Sequence, residues 1–180
     1  MSDPVTVVRP MRDQDVAGAA AALVEVHGTD GYPVYGVARP EATVRPPGVV
    51  RAWVAEADGV IVGHVAVRRP QGDEGAVALW REQSGEDDSR IGVVSRLFVV
   101  RGARGQAVGE RLMREAMSFG RARSLRLVLD VVERDSAAVR LYERLGWRAI
   151  GGAQHPYGDG RRVAVRCYVG PDLLRAVEGG

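Results

Sequence analysis

At 180 residues, with 46% hydrophobic and 27% charged residues, the chain is long enough to bury a core and short enough to form one domain. All 25 basic residues are arginine and the net charge is only +2, which excludes lysine-nucleophile chemistry and argues against a nucleic-acid surface, since the arginines are interleaved with acids. A lone Cys167, three scattered histidines, no apolar run near the ~20 residues of a membrane span and no secretory signal in MSDPVTVVRP predict a cytoplasmic protein without disulfide, metal or membrane partner.

In chain order, Thr6 to Arg9 reads as a short strand. Pro10 to Asp15 supply a turn into an Ala-rich amphipathic helix that runs to about Val26. Periodicity is absent from Gly28 to Gly48, which predicts a long loop carrying Tyr32 and Tyr35, either a binding element or plain surface. Two strands follow, Val50 to Ala57 and Val60 to Arg68, joined by Asp58-Gly59 as an antiparallel hairpin. His64 shares a side with Val60, Val62 and Ala66 and is read as a core residue before a catalytic base. Glu56, near the end of the first strand, can reach either an active site or water.

Pro70 to Arg90 is an insertion with a short helix around Ala76 to Gln83. Its six acids, Asp73, Glu74, Glu82, Glu86, Asp87 and Asp88, outweigh Arg81 and Arg90. Such a run serves solubility in the plain reading, and attracts a cationic substrate in the sharper one.

Ile91 to Val100 is a buried strand entering a turn that contains Gly102, Gly105 and Gly109, after which a helix runs to about Arg121 with Val108, Leu112, Ala116 and Phe119 on one face. A strand feeding a glycine-rich turn and a helix N-terminus leaves backbone N–H groups facing one way, an anion cradle to which Arg101 and Arg104 add charge. Leu125 to Val132 is the next strand, so the unit is a right-handed βαβ crossover with parallel strands. In LDVVERDSAAVRLYERLGW, Asp135 or Ser136 caps a helix and Gly146 ends it, with Asp135, Ala138 and Tyr142 on one helical face. HPYGDGRR reads as a loop, and Val163 to Val169 as a final strand pairing with 147–150.

The glycine spacing fits neither GxGxxG nor the nucleoside-triphosphate loop, which requires Gly-Lys-Ser/Thr. RGQAVG, from Arg104 to Gly109, instead resembles the pyrophosphate loop of the GNAT-type N-acetyltransferases, Arg/Gln-x-x-Gly-x-Gly/Ala, with Ala107 where the first glycine stands. VVRPMRDQDV resembles the opening of that family. The block from Leu129 to Trp147 resembles its strand, polar turn and Leu-Tyr-Glu helix, with Asp135 for the usual Asn and Trp147 for the usual Phe.

The resemblance implies an α/β (α+β) fold over a single domain, residues 1–180: a mixed, largely antiparallel central sheet flanked by helices, with a splayed parallel strand pair for CoA. It implies acetyl-CoA as cosubstrate, contacted by Leu97, Val99, Arg104, Gly105, Gln106, Ala107, Val108, Gly109, Asp135 and Tyr142, mostly through backbone. The implied reaction is direct acetyl transfer to a primary amine of a small molecule or an exposed peptide amino group, with Tyr142 as general acid. Where the family often has a carboxylate near the start of the strand before the glycine loop, this chain has Ile91 to Ser95, IGVVS. Glu56, Glu133 and a water chain are therefore the candidates for base. Tyr32, Tyr35 and His155 are the candidate acceptor contacts. The alternative is a non-catalytic acyl-CoA-binding regulatory module of the same fold, and a homodimer is left open.

Overall fold

The computed structural model describes residues 4–172. Its strands are β1 (Thr6–Pro10), β2 (Val49–Ala57), β3 (Val60–Arg68), β4 (Ile91–Val99), β5 (Arg126–Val132), β6 (Arg148–Tyr157) and β7 (Arg161–Val169), and its helices α1 (Val16–Asp30), α2 (Pro40–Val44), α3 (Gly75–Ser84), α4 (Val108–Ala122) and α5 (Ser136–Arg144). The seven strands form one sheet in the order β1-β2-β3-β4-β5-β7-β6. Pairing is antiparallel for β1/β2, β2/β3, β5/β7 and β6/β7 and parallel for β4/β5, as the βαβ crossover requires. No helix among the described residues is long and apolar enough to cross a membrane. The residues group into two compact units, one of residues up to 68 with 96–116, the other of 69–95 with those from 117 on.

In the first unit, Asp58 and Gly59 turn β2 into β3 with φ of 49° and 79°, the left-handed pair that a two-residue hairpin needs. Ala19, Ala20, Ala22, Leu23 and Val26 form the buried stripe of α1. The helix runs past Gly28 to Asp30 and ends where Gly31, at φ 70°, returns its N–H to the His27 carbonyl. The stop is thus three residues beyond the glycine read as the start of a loop. The predicted loop also contains α2, a single turn begun by Pro40 and pinned by the fully buried Val44. On β3, a Cβ at Gly63 would stand 3.1 Å from Leu112 Cδ1 and 3.2 Å from the Phe98 carbonyl oxygen. Any larger residue would push α4 or β4 back by a few tenths of an ångström, and the start of α4 is what aims the glycine-rich turn.

The entry to α1 is tied down electrostatically. Arg9 donates to both oxygens of Asp15 (2.7 and 2.9 Å) and to Glu56 (2.5 Å), and the Arg12 N–H adds a bond to Asp15. The Arg9 hydrogen bonds hold the Asp15 carboxyl down at about 2.

In the second unit, α3 packs through Ala76, Val77 and Trp80 against Ile91, Val128, Ile150, Val165 and Cys167. Asp130 of β5 caps α3 by accepting from the Gly75 and Ala76 N–H groups at 3.0 and 2.8 Å. Burial, with Asp130 alongside, pushes the Cys167 thiol pKa up, so this cysteine is an inert core group. The predicted loop at His155 is a correction: β6 continues to Tyr157, pairing His155 with Val163, and only the Gly158–Gly160 turn breaks the hairpin. In α4, Met113 and Met117 are buried beside Leu112 and Ala116, leaving Phe119 half-buried with Arg123 over its ring at 5.2 Å.

Candidate active site

The glycine-rich turn follows β4 directly. The Val100 N–H bonds to the Val62 carbonyl at 2.9 Å, a 3-10 turn spans Arg101–Ala103, and the first amide of α4 to bond back is that of Arg111, to the Ala107 carbonyl at 3.0 Å. The amides just before it lack an intrahelical acceptor, and they sit at the positive end of a 15-residue helix. Gly105 and Ala107 both adopt positive φ, 82° and 56°. Ala107 therefore occupies a backbone conformation that glycine fills without strain. Val108 is buried, so it can serve an anion only through its backbone.

Replacing Ala107 with glycine should change stability by no more than ~0.5 kcal/mol, because relief of left-handed strain of ~1 kcal/mol is offset by added unfolded-state freedom of ~0.5–1 kcal/mol. Paired melting curves check this, with anion affinity expected to be retained.

The arginines of the turn are engaged. Arg104 donates to the Val99 carbonyl at 3.1 Å and pairs with Asp30, which also takes Arg101 at 3.2 Å. Hydrogen bonds from Arg104 hold the Asp30 carboxyl below the usual range. Asp30, the last residue of α1, thus locks the turn's cations to the helix end; its sequence gave no hint of this, since 74 residues separate it from Arg104.

Leu97 and Val99 are half-buried and alternate with the buried Phe98. The β4/β5 register covers Ile91–Val93 against Arg126–Val128. Soon after, Arg96 kinks β4 with φ 57°, costly for an arginine inside a strand. His64 answers the kink: fully buried and stacked on Phe98 (ring centroids 5.3 Å apart), its Nδ1 donates to the Arg96 carbonyl at 2.8 Å. The core reading of His64 is right, with this bond added.

Burial pushes the His64 pKa down to about 4. As pH falls, the unfolded chain, with imidazole near 6.5, takes up the proton first. Stability contributed by neutral His64 is complete above pH ~6.5 and declines by up to ~3 kcal/mol toward pH ~4. The Asp15 contribution is lost only below its unfolded value near 3.8. Denaturant unfolding at pH 7 and 4.5 should show the first decline in the parent and not in His64→Phe.

The acceptor candidates divide. Tyr35 is exposed, with the Arg96 guanidinium over its ring at 5.3 Å, and Tyr32 lies 6.5 Å from Phe98. His155 lies on β6 in the other unit. Glu56 is held in the Arg9 ion pair, and Glu133 lies 3.7 Å from Arg166. Four acids of the insertion have local partners: Glu74 accepts from Gln71 and Gly72 N–H groups, Glu86 from Trp80, Asp87 from Ser89, and Asp88 pairs with Arg81.

In the second unit, Asp135 caps α5 by accepting from the Ala138 N–H at 3.2 Å, and Gly146 leaves the helix at φ 87°. Asp135 is exposed whereas Tyr142 is buried, 7% exposed, with Trp147 and Tyr168 ring centroids at 6.0 and 6.3 Å. Their shared helical direction does not give them a shared environment. The Tyr168 hydroxyl donates to Glu143 at 3.1 Å, which closes this aromatic cluster.

The model of the acetyltransferase (GNAT) family matches residues 13–147, taking in α1, the kinked β4, the glycine-rich turn and the tyrosine helix. The chain belongs to the GNAT acetyltransferase family. Solved GNAT-type folds resemble it closely in shape and distantly in sequence. Arabidopsis thaliana NAA60 in complex with acetyl-CoA is 19% identical with TM-score 0.68, over 92% of this chain and 97% of that one. The GNAT-family acetyltransferase from Streptococcus pneumoniae is 20% identical with TM-score 0.64, over 92% and 98%. The ribosomal-protein-alanine N-acetyltransferase from Brucella melitensis is 17% identical with TM-score 0.68, over 91% and 98%. No curated protein sequence matches the chain. Within the GNAT pattern, the residues that motif reading missed are Asp30, His64 as a backbone clamp, and Arg96; the available signal was a lone arginine inside the apolar run IGVVSRLFVV.

Proposed function

We propose that the protein transfers the acetyl group of acetyl-CoA directly to a primary amine. The observation that carries the reading is the left-handed backbone at Ala107, the position of the family's glycine, between the end of β4 and the N-terminus of α4. The pyrophosphate would rest on the backbone of Arg104 to Gly109 and the pantetheine arm along Leu97 and Val99, and the family pattern gives Asp135 a cofactor contact and Tyr142 the role of acid toward the sulfur.

In the transfer, the amine nitrogen attacks the thioester carbonyl, the C–N bond forms, and the C–S bond breaks as Tyr142 hydrogen-bonds to or protonates the departing sulfur. An alkyl ammonium of pKa ~10.4 costs ~4.6 kcal/mol to deprotonate at pH 7, so its proton must be removed before or during attack. Glu56 and Glu133 are both ion-paired. A water relay is the route that asks no ion pair to open.

Titration calorimetry with acetyl-CoA, followed by thiol release with a panel of amines, tests the reading. Binding plus amine-dependent thiol release is expected. Binding with no release for any amine favours the acyl-CoA-sensing alternative, and no binding rejects both.

A further inference from the structure

Arg96 does more than kink β4. It is half-buried, its Nε donates to the Thr43 carbonyl at 3.2 Å, and its guanidinium carbon lies over the exposed Tyr35 ring, 5.3 Å from the centroid. Among the described residues, no acid pairs with it and its Nη groups have no hydrogen-bond partner. By contrast, two other half-buried arginines, Arg9 and Arg126, each have an acid, Asp15 with Glu56 and Asp172 respectively. The open fork of Arg96 matches a carboxylate in a bidentate pair.

The position is specific. Arg96 immediately precedes Leu97, where the pantetheine arm is placed, and the His64 bond to its carbonyl fixes the backbone from which the side chain projects. Tyr35 and Thr43 belong to the α1–β2 segment, so the cation is held between strand and segment, with Tyr35 exposed beside it. We infer that the acceptor is a small amine that also carries a carboxylate, and that Arg96, supported by Tyr35, binds that carboxylate. This rests on the acetyl-transfer reading and differs from the expectation of a purely cationic acceptor drawn by the acidic insertion.

The test compares an α-amino acid, its amide and its decarboxylated amine as acceptors, by thiol release, in the parent and in Arg96→Gln and Arg96→Lys. The parent is expected to favour the acid at least ~10-fold in kcat/KM. Arg96→Gln should lower kcat/KM for the acid by about 10²-fold and for the other two by less than about 3-fold, with Arg96→Lys intermediate, since a lysine keeps the charge and loses the fork. Acetyl-CoA affinity, measured by calorimetry, should be unchanged in both variants. A parent that acetylates the amide or decarboxylated amine as well as the acid overturns the inference while leaving acetyl transfer standing, and this arm needs no variant to fold. An equal loss for all three acceptors in Arg96→Gln also overturns it. Acetyl-CoA binding without release for any acceptor removes the acetyl-transfer reading itself.

Discussion

Replacing Tyr142 with phenylalanine is expected to lower kcat by about 10²–10⁴ while leaving acetyl-CoA affinity nearly intact. A phenol near pKa 10 donating to a thiolate near 8.5 is uphill by ~2 kcal/mol, so full transfer needs help from the site, whereas a hydrogen bond that strengthens as charge grows on sulfur does not. Tyr142 is buried among Trp147 and Tyr168, where a low dielectric strengthens such a bond. Phenylalanine keeps the ring contacts with Trp147 and Tyr168, so the variant should fold, and its melting curve is read beside its turnover. Single-turnover measurement with a slow amine, where chemistry limits the rate, reads the effect. Unchanged turnover under that condition would remove Tyr142 from the chemistry.

Gly109→Val should weaken acetyl-CoA binding by about 10²-fold or more. Gly109 is the second residue of α4, among the amides that precede the first intrahelical bond. A branched side chain there obstructs the approach of an oxyanion, and losing two charge-assisted contacts of ~1.5 kcal/mol each reaches that magnitude. Valine is a better helix former than glycine, so folding is not the expected casualty. Calorimetric titration of a variant with parental melting behaviour separates the two effects; parental affinity in such a variant would mean that the pyrophosphate rests elsewhere.

What could be read from the sequence was what local chemistry decides. Asp58-Gly59 adopts the hairpin turn its composition demands, Asp135 caps α5, Gly146 ends it, and β4, α4 and β5 form the parallel crossover their lengths imply. Ala107 was identified by its neighbours in RGQAVG and takes the conformation that makes glycine usual there. What escaped depends on partners far along the chain. Asp130 caps a helix 54 residues away, Asp30 holds Arg104 across 74, and the His64 bond to Arg96 spans 32. α2 was hidden because one turn started by a proline has no periodicity to detect, and β6 because its Gly, His and Pro residues resemble a loop until β7 supplies a ladder.

The central claim is most directly tested by incubating the parent protein with acetyl-CoA and an amine panel, then following thiol, acetylated amine and intact protein mass together. Direct attack should give amine-dependent thiol release matched mole for mole by acetylated amine, with the protein mass unchanged. Tight acetyl-CoA binding with no acetylated product from any amine, or an acetylated protein that forms before amine is added and decays as product appears, would contradict it.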